Sequence, residues 1–249
     1  MRVLLIVVAG LWGAGAGLLV PRAAHRFSVD ADEPWRAECP GGHPITGAFG
    51  GWVGRARCGP AVARDCAAYG PSTPVAAAVT ASVCAALAAA GGPRPEVAVW
   101  LLAAPVGVLL ALVDLRVHRL PDVLTLPLAA VTAVLLGLAA LLPAAGGSWP
   151  SALLGGLALG AAYFVLFLVN PSGMGFGDVK LALPLGAALG WYGWPDVVLG
   201  GAAGLLYGAC YGLGLVALRR AGRKSAIPLG PFMLGGAFTG LLLGASAVA

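Results

Sequence analysis

The sequence predicts an all-α fold: a polytopic membrane helical bundle of about eight transmembrane helices, with a small cytoplasmic loop domain after the first. Three observations predict it. Of the 249 residues, 59% are hydrophobic and only 10% are charged, with a mean hydropathy of +0.91, whereas roughly a quarter of the residues in soluble domains are charged. Apolar runs long enough to cross a bilayer recur along the chain, and the basic residues gather in segments between them. Most of the 39 glycines fall inside those apolar runs, where small residues let helices approach closely. A packed bundle fits this composition and a disordered chain does not.

Taking about 17–25 residues per spanning helix, spans fall at 3–20, 74–91, 96–113, 123–142, 151–170, 179–191, 197–218 and 231–248. The first follows a single basic residue, Arg2, and precedes a cluster of arginines, the reverse of a secretory signal. It reads as an uncleaved helix. The third span ends at Asp114. The fourth opens after Pro121-Asp122, where an aspartate side chain would cap free helix N–H groups, and Asp196 is given the same role ahead of the seventh. The sixth is short and interrupted by Pro184, so a tilted, broken or partly re-entrant segment is expected. The chain divides into a first transmembrane helix at 1–20, a loop domain at 21–73 and a seven-helix membrane core at 74–249.

The net charge of +5 is unevenly spread. Arg22, Arg26, Arg36, Arg55, Arg57 and Arg64 lie in 21–73, Arg116 and Arg119 in 114–122, and Arg219, Arg220, Arg223 and Lys224 in 219–224, while the loops near 142–150 and 190–196 carry none. The positive-inside rule therefore puts 21–73, 114–122, 171–178 and 219–230 in the cytoplasm and both termini outside. Such a pattern orients a bundle among lipids; it gives no nucleic-acid surface. It also sets Asp114 and Asp178 on one face of the membrane, although 64 residues separate them.

A carboxylate at the edge of a bilayer is costly enough to be read as functional. Two at matching depth suggest an acid/base pair, because neighbouring carboxyl groups share one proton. For Asp114 the bland alternative is pairing with Arg116 or His118 among the headgroups. Asp178 lies in Gly175-Phe176-Gly177-Asp178, and with Gly173 these glycines leave room for an extended substrate backbone. Its bland alternative is the N-cap of the next helix. His25, His43 and His118 have no serine or cysteine partner at a recognisable spacing, so a hydrolase built on a nucleophile is unsupported. Lys180, two residues past Asp178, is placed to reach lipid phosphates or to tune the aspartate pair.

Cys39, His43, Cys58 and Cys66 are the metal-ligand candidates of the loop domain, whereas Cys84 and Cys210 fall in apolar helices. Disulfides are not expected on the cytoplasmic side. The spacing contains no Cys-x-x-Cys pair, the strong signal for zinc, so spacing alone assigns no metal.

Together these residues resemble the type IV prepilin leader peptidases, bacterial inner-membrane aspartic proteases of the GxGD class. Residues 114–128, DLRVHRLPDVLTLPL, look like the first-aspartate block of that family; 175–181, GFGDVKL, like its second; and 227–236, IPLGPFMLGG, like the motif that opens its last helix. The likeness covers about 96–248. It implies that Asp114 and Asp178 are the catalytic aspartates, that Asp122 holds a position filled by Asp or Asn, and that Gly175, Gly177, Lys180, Pro228, Gly230 and Pro231 frame the site. It further implies cleavage of the positively charged leader of prepilins or pseudopilins, at the cytoplasmic interface of the inner membrane, without a cofactor. Lipid is the surrounding partner, and a homo-oligomer is left open.

The longer relatives bind zinc through two Cys-x-x-Cys pairs and methylate the new N-terminus with S-adenosylmethionine. Here Cys39-Pro40-Gly41-Gly42 and Cys58-Gly59-Pro60-Ala61 keep only the first cysteine of each pair. The loop thus resembles a degenerate zinc domain, with Trp52 and Tyr69-Gly70-Pro71 still matching its framework, and the resemblance stops short of assigning zinc or S-adenosylmethionine. Three other readings compete. A presenilin-like protease would carry Tyr-Asp and Pro-Ala-Leu motifs, where this chain has Val113-Asp114 and Ile227-Pro228-Leu229. A proton- or cation-coupled transporter would bind its ion near midplane, not at helix ends. The third is an inactive membrane scaffold.

Overall fold

A computed structural model describes residues 1–30, 32–58, 68–171, 173–219 and 227–248. These form α1 (Arg2–Phe27), the single turn α2 (Ala48–Gly51), α3 (Thr73–Gly91), α4 (Pro95–Val117), α5 (Asp122–Ala140), α6 (Trp149–Val169), α7 (Phe176–Tyr192), α8 (Trp194–Ala217) and α9 (Gly230–Ala247). Among the described residues the only β pairing is an isolated bridge between Glu38 and Pro44.

All of these helices except α2 and α7 are long and apolar enough to cross a membrane, and the chain is a multi-pass membrane protein. The expected short span is α7. Its 17 residues reach about 25 Å at 1.5 Å per residue, less than the roughly 30 Å hydrocarbon core. The surrounding helices α5, α6, α8 and α9 enclose it, so its backbone and Pro184 meet protein instead of lipid. Buried Leu181, Leu189 and Trp191 make α7 the centre of the apolar core.

Small residues let the helices close on it. An added Cβ at Gly155 of α6 would stand 2.6 Å from the Gly186 carbonyl oxygen of α7, so these two backbones touch where any larger residue would hold them apart.

Helix α4 fixes the ends of the bundle. Glu96, fully buried in its first turn, accepts the Gly146 N–H at 3.2 Å, whereas Asp114 sits in its last turns. At 1.5 Å per residue these carboxylates lie about 27 Å apart, at opposite ends.

Helix α1 continues past the expected end at 20 to Phe27. Its last turns carry arginines that bind the following loop: Arg22 donates to the carbonyls of Thr46 (3.0 Å) and Arg55 (3.2 Å), and Arg26 to that of Gly50 (2.8 Å). Phe27, Trp35 and Trp52 pack ring against ring beside them, and the Arg26 guanidinium lies 4.0 Å from the Trp52 ring centre. The described part of the loop is therefore fastened to the same end of the bundle as Asp114.

Two expected helix caps are corrected. Pro121 is the N-cap of α5, its carbonyl accepting the Thr125 N–H at 3.1 Å, so Asp122 is already the first helical residue. Gly193 is the N-cap of α8, and Asp196 lies inside the first turn. In α8 the reason is Pro195, which suits a first turn because that turn needs no N–H donor there. Both aspartates still favour the positive helix end by charge.

Candidate active site

A cavity of about 500 Å³ opens at the end of the bundle where α4 stops and α7 starts. Asp114 and Asp178 both line it, with Trp35, His118, Arg119, Leu120, Asp122, Val123, Gly175, Phe176 and Gly177. The two carboxylates are nearly sealed from the surface, at 3% and 6% exposure. Sequence placed them on one face of the membrane; the fold brings them into one chamber.

Local structure explains how each is held. Helix α4 ends at His118, whose left-handed backbone (φ 50°) returns its N–H to the Asp114 carbonyl at 2.9 Å. The chain then turns through Leu120 into α5. The Asp114 side chain makes no ion pair with Arg116 or His118 among the described residues. Its Oδ2 instead accepts the backbone N–H of Gly230 at 2.9 Å, at the start of α9, where the helix dipole favours a negative group. An added Cβ on Gly230 would stand 2.8 Å from that oxygen. Glycine is what admits the carboxylate.

Asp178 is not the N-cap of α7. Gly175 takes that place, and Asp178 occupies the third helical position. Its Oδ2 accepts the Gly175 N–H at 3.0 Å while its own N–H donates to the Gly175 carbonyl at 3.0 Å. This is the returning half of a capping box; glycine has no side chain to make the other half. The exchange pins the carboxylate at the cavity mouth of α7.

Leu120 joins the two halves. A Cβ on Gly177 would lie 3.0 Å from the Leu120 Cβ, and one on Gly230 would lie 3.4 Å from its Cδ2. The buried leucine is thus the wedge against which the starts of α7 and α9 rest.

The other framing candidates separate. Gly175 and Gly177 line the cavity, and Gly230 meets it through Asp114. Pro228 lies just before α9 and Pro231 in its first turn; Pro231 faces a separate apolar cavity among α3, α4, α5, α7 and α9. Lys180 does not line the chamber. Its Nζ meets Asp122 Oδ2 at 2.6 Å and stands 5.0 Å from the Phe176 ring centre. With the Asp122 side chain 57% exposed, this pair ties α5 to α7 and contributes little energy.

Trp35, Arg119, Leu120 and Val123 line the cavity without having been singled out by sequence reasoning. Trp35 reaches in from the loop, and Arg119 donates to the Asp30 carbonyl at 2.7 Å, drawing the loop against the chamber. Trp35 sits in no local pattern, and Arg119 stands in the 114–128 block with nothing to mark its contact; the arginine cluster of 21–73 was the signal that this loop lies at the same end of the bundle.

Of the metal-ligand candidates, Cys39, His43 and Cys58 come together outside the chamber, and Cys66 lies outside the described residues.

Comparison with known proteins bears on the same segment. A family model described as the type IV leader peptidase family matches residues 100–244, which include Asp114, Asp178 and Gly230. A prepilin leader peptidase/N-methyltransferase of Aeromonas salmonicida (strain A449) is 37% identical over 148 residues, 59% of this chain and 48% of that protein. One of Pseudomonas aeruginosa is 35% identical over 140 residues, 54% of this chain and 46% of its own length. One of Klebsiella pneumoniae is 37% identical over 92 residues, 36% and 40% respectively. The chain spans about half the length, or less, of the curated relatives it matches. No solved structure matches it. On the match across α4 to α9, the chain belongs to the type IV leader peptidase family.

Proposed function

We propose that this protein is a membrane aspartic endopeptidase that removes the positively charged leader from type IV prepilins or pseudopilins at the cytoplasmic face of a bacterial inner membrane. The observation that carries this reading is the meeting of Asp114 and Asp178, both buried, in one cavity, from helices far apart in sequence. The cytoplasmic assignment rests on charge: Arg22, Arg26 and Arg119 cluster at that end of the bundle, as the positive-inside rule requires. A substrate with a basic leader and an apolar helix would then present its scissile bond beside the chamber.

The pair works with one proton between its two carboxyl groups, since like charges in one pocket do not both ionise readily. The ionised member takes a proton from water as the water oxygen bonds to the scissile carbonyl carbon. The protonated member gives its proton to the carbonyl oxygen, forming a diol. Collapse reverses the roles: the first carboxyl protonates the amide nitrogen, the second recovers a proton from the diol, and the C–N bond breaks. The pair is restored, and no covalent intermediate forms. Backbone N–H groups of Gly230 and Gly175 each hold an Oδ2, leaving each Oδ1 to water or substrate. The relatives are also named for N-methyl transfer; the reaction proposed for this chain is the hydrolysis.

Mass spectrometry of a co-expressed prepilin tests this. Cells with the wild-type chain should yield a pilin lacking its leader, and the same spectrum reports any added methyl group. Full-length prepilin beside well-expressed wild-type protein would overturn the proposal.

A further inference from the structure

We propose that Glu96 is a positioning residue: it latches α4 to α7 at the end of the bundle opposite the chamber, and so sets the spacing of Asp114 and Asp178. Each aspartate stands at one end of its helix, and the other end of each helix lies at this latch. At 1.5 Å per residue Glu96 is about 27 Å from Asp114 along α4, and Tyr192 about 21 Å from Asp178 along α7.

Glu96 is fully buried, and a carboxylate there is costly unless its oxygens find donors. Both face the Gly146 N–H, at 3.2 and 3.4 Å. An added Cβ on Gly146 would stand 2.6 Å from Glu96 Oε1 and 3.2 Å from Arg94 Nη1, so glycine is what lets the loop between α5 and α6 settle on these side chains. The next residues carry the link across. An added Cβ on Gly147 would collide with the Trp191 carbonyl oxygen, and the Ser148 N–H donates to that same carbonyl at 3.0 Å. Three consecutive loop residues thus join the first turn of α4 to the last turn of α7. Beside them Trp100 Nε1 donates to the Tyr192 hydroxyl at 3.1 Å, the one side-chain hydrogen bond between α4 and α7 among the described residues.

Towards the chamber the two helices part. An apolar cavity of about 290 Å³ lies between them, lined by Trp100, Gly107 and Ala111 of α4 and by Pro184, Leu185 and Ala188 of α7. In the chamber itself Asp114 is bound by Gly230 of α9, and Asp178 by the start of its own helix. Helices α5 and α9 touch both α4 and α7, but the hydrogen bonds that join α4 to α7 are those of the latch. The spacing of the two carboxyl groups follows from where these helices stand.

The consequence for rate rests on the proposed hydrolysis and the latch itself does not, so two readouts are needed. In the full chain with its native cysteines replaced by serine, Asp114→Cys and Asp178→Cys are cross-linked in detergent by bis-thiol reagents of graded length. With Glu96 present the yield should peak at one length. Glu96→Ala should spread it over several, and Glu96→Gln, which keeps an oxygen for the Gly146 N–H, should restore the peak. In the otherwise native chain, single-turnover cleavage of a prepilin by Glu96→Ala should slow by on the order of 10- to 100-fold at full amplitude, while Glu96→Gln stays near the wild-type rate. Tyr192→Phe removes only a hydroxyl and should move both readouts in the same direction. An unchanged cross-linking profile or an unchanged rate in folded Glu96→Ala, or in Tyr192→Phe where that variant alone folds, would overturn the proposal, as would a Glu96→Gln that behaves like Glu96→Ala. Wild-type protein that fails to cleave would remove the peptidase reading and leave the cross-linking to decide on the latch.

Discussion

Gly230 donates its backbone N–H to Asp114 Oδ2 across 2.9 Å, linking residues 116 positions apart. A Cβ on Gly230 would stand 2.8 Å from that oxygen, so Gly230→Ala must shift either the start of α9 or the carboxylate. A misplacement of about 1 Å costs on the order of 100-fold in rate. Cleavage of a prepilin by purified Gly230→Ala should fall by about that factor while the protein still purifies as a folded species.

Leu120 packs against Gly177 at the start of α7. Leu120→Ala removes a buried wedge and should destabilise the fold by about 2–5 kcal/mol, read as a lower thermal midpoint in detergent. Gly177→Ala alone should also impair cleavage, because its methyl would crowd Leu120. The double variant should recover part of the loss, since the shortened side chain leaves space for the added carbon.

Lys180, which does not line the chamber, pairs at 2.6 Å with Asp122, a half-exposed residue of its lining. Such pairs contribute up to about 1 kcal/mol. Lys180→Ala should therefore change the cleavage rate by no more than about fivefold. A loss comparable to that of Gly230→Ala would place Lys180 in the aspartate machinery instead.

The contact of α6 with α7 depends on Gly155 and Gly186, where a Cβ on Gly155 would fall 2.6 Å from the Gly186 carbonyl oxygen. Gly155→Ala overpacks this seam and should cost about 1–3 kcal/mol. Thermal unfolding monitored by intrinsic tryptophan fluorescence would report it, since Trp191 is buried on α7.

Much of this site is legible in the sequence because membranes impose strict accounting. Apolar spans have a fixed length, basic loops fix sidedness, and an aspartate at a span edge stands out; those facts put Asp114 and Asp178 on one face. What escaped is tertiary. Arg22 and Arg26 read as loop charges, yet they end α1 and donate to loop carbonyls. Trp35 and Leu120 reach the chamber because a loop and a turn fold onto it, and no periodicity records such an approach. Asp122 looked like a cap, but the carbonyl of Pro121 had already taken that place. The role of Gly230 was visible only as a motif, because the carboxylate that its missing side chain admits comes from a residue 116 positions away.

The central claim is that Asp114 and Asp178 act as one unit. Single-turnover cleavage of a purified prepilin by wild type, Asp114→Asn, Asp178→Asn and the double variant measures this directly. Residues that act as a unit lose their effect together, so removing either costs about as much as removing both. The predicted result is that both single variants fall to the same residual rate as the double. Substantial cleavage by either single variant, or losses that multiply in the double, would contradict it.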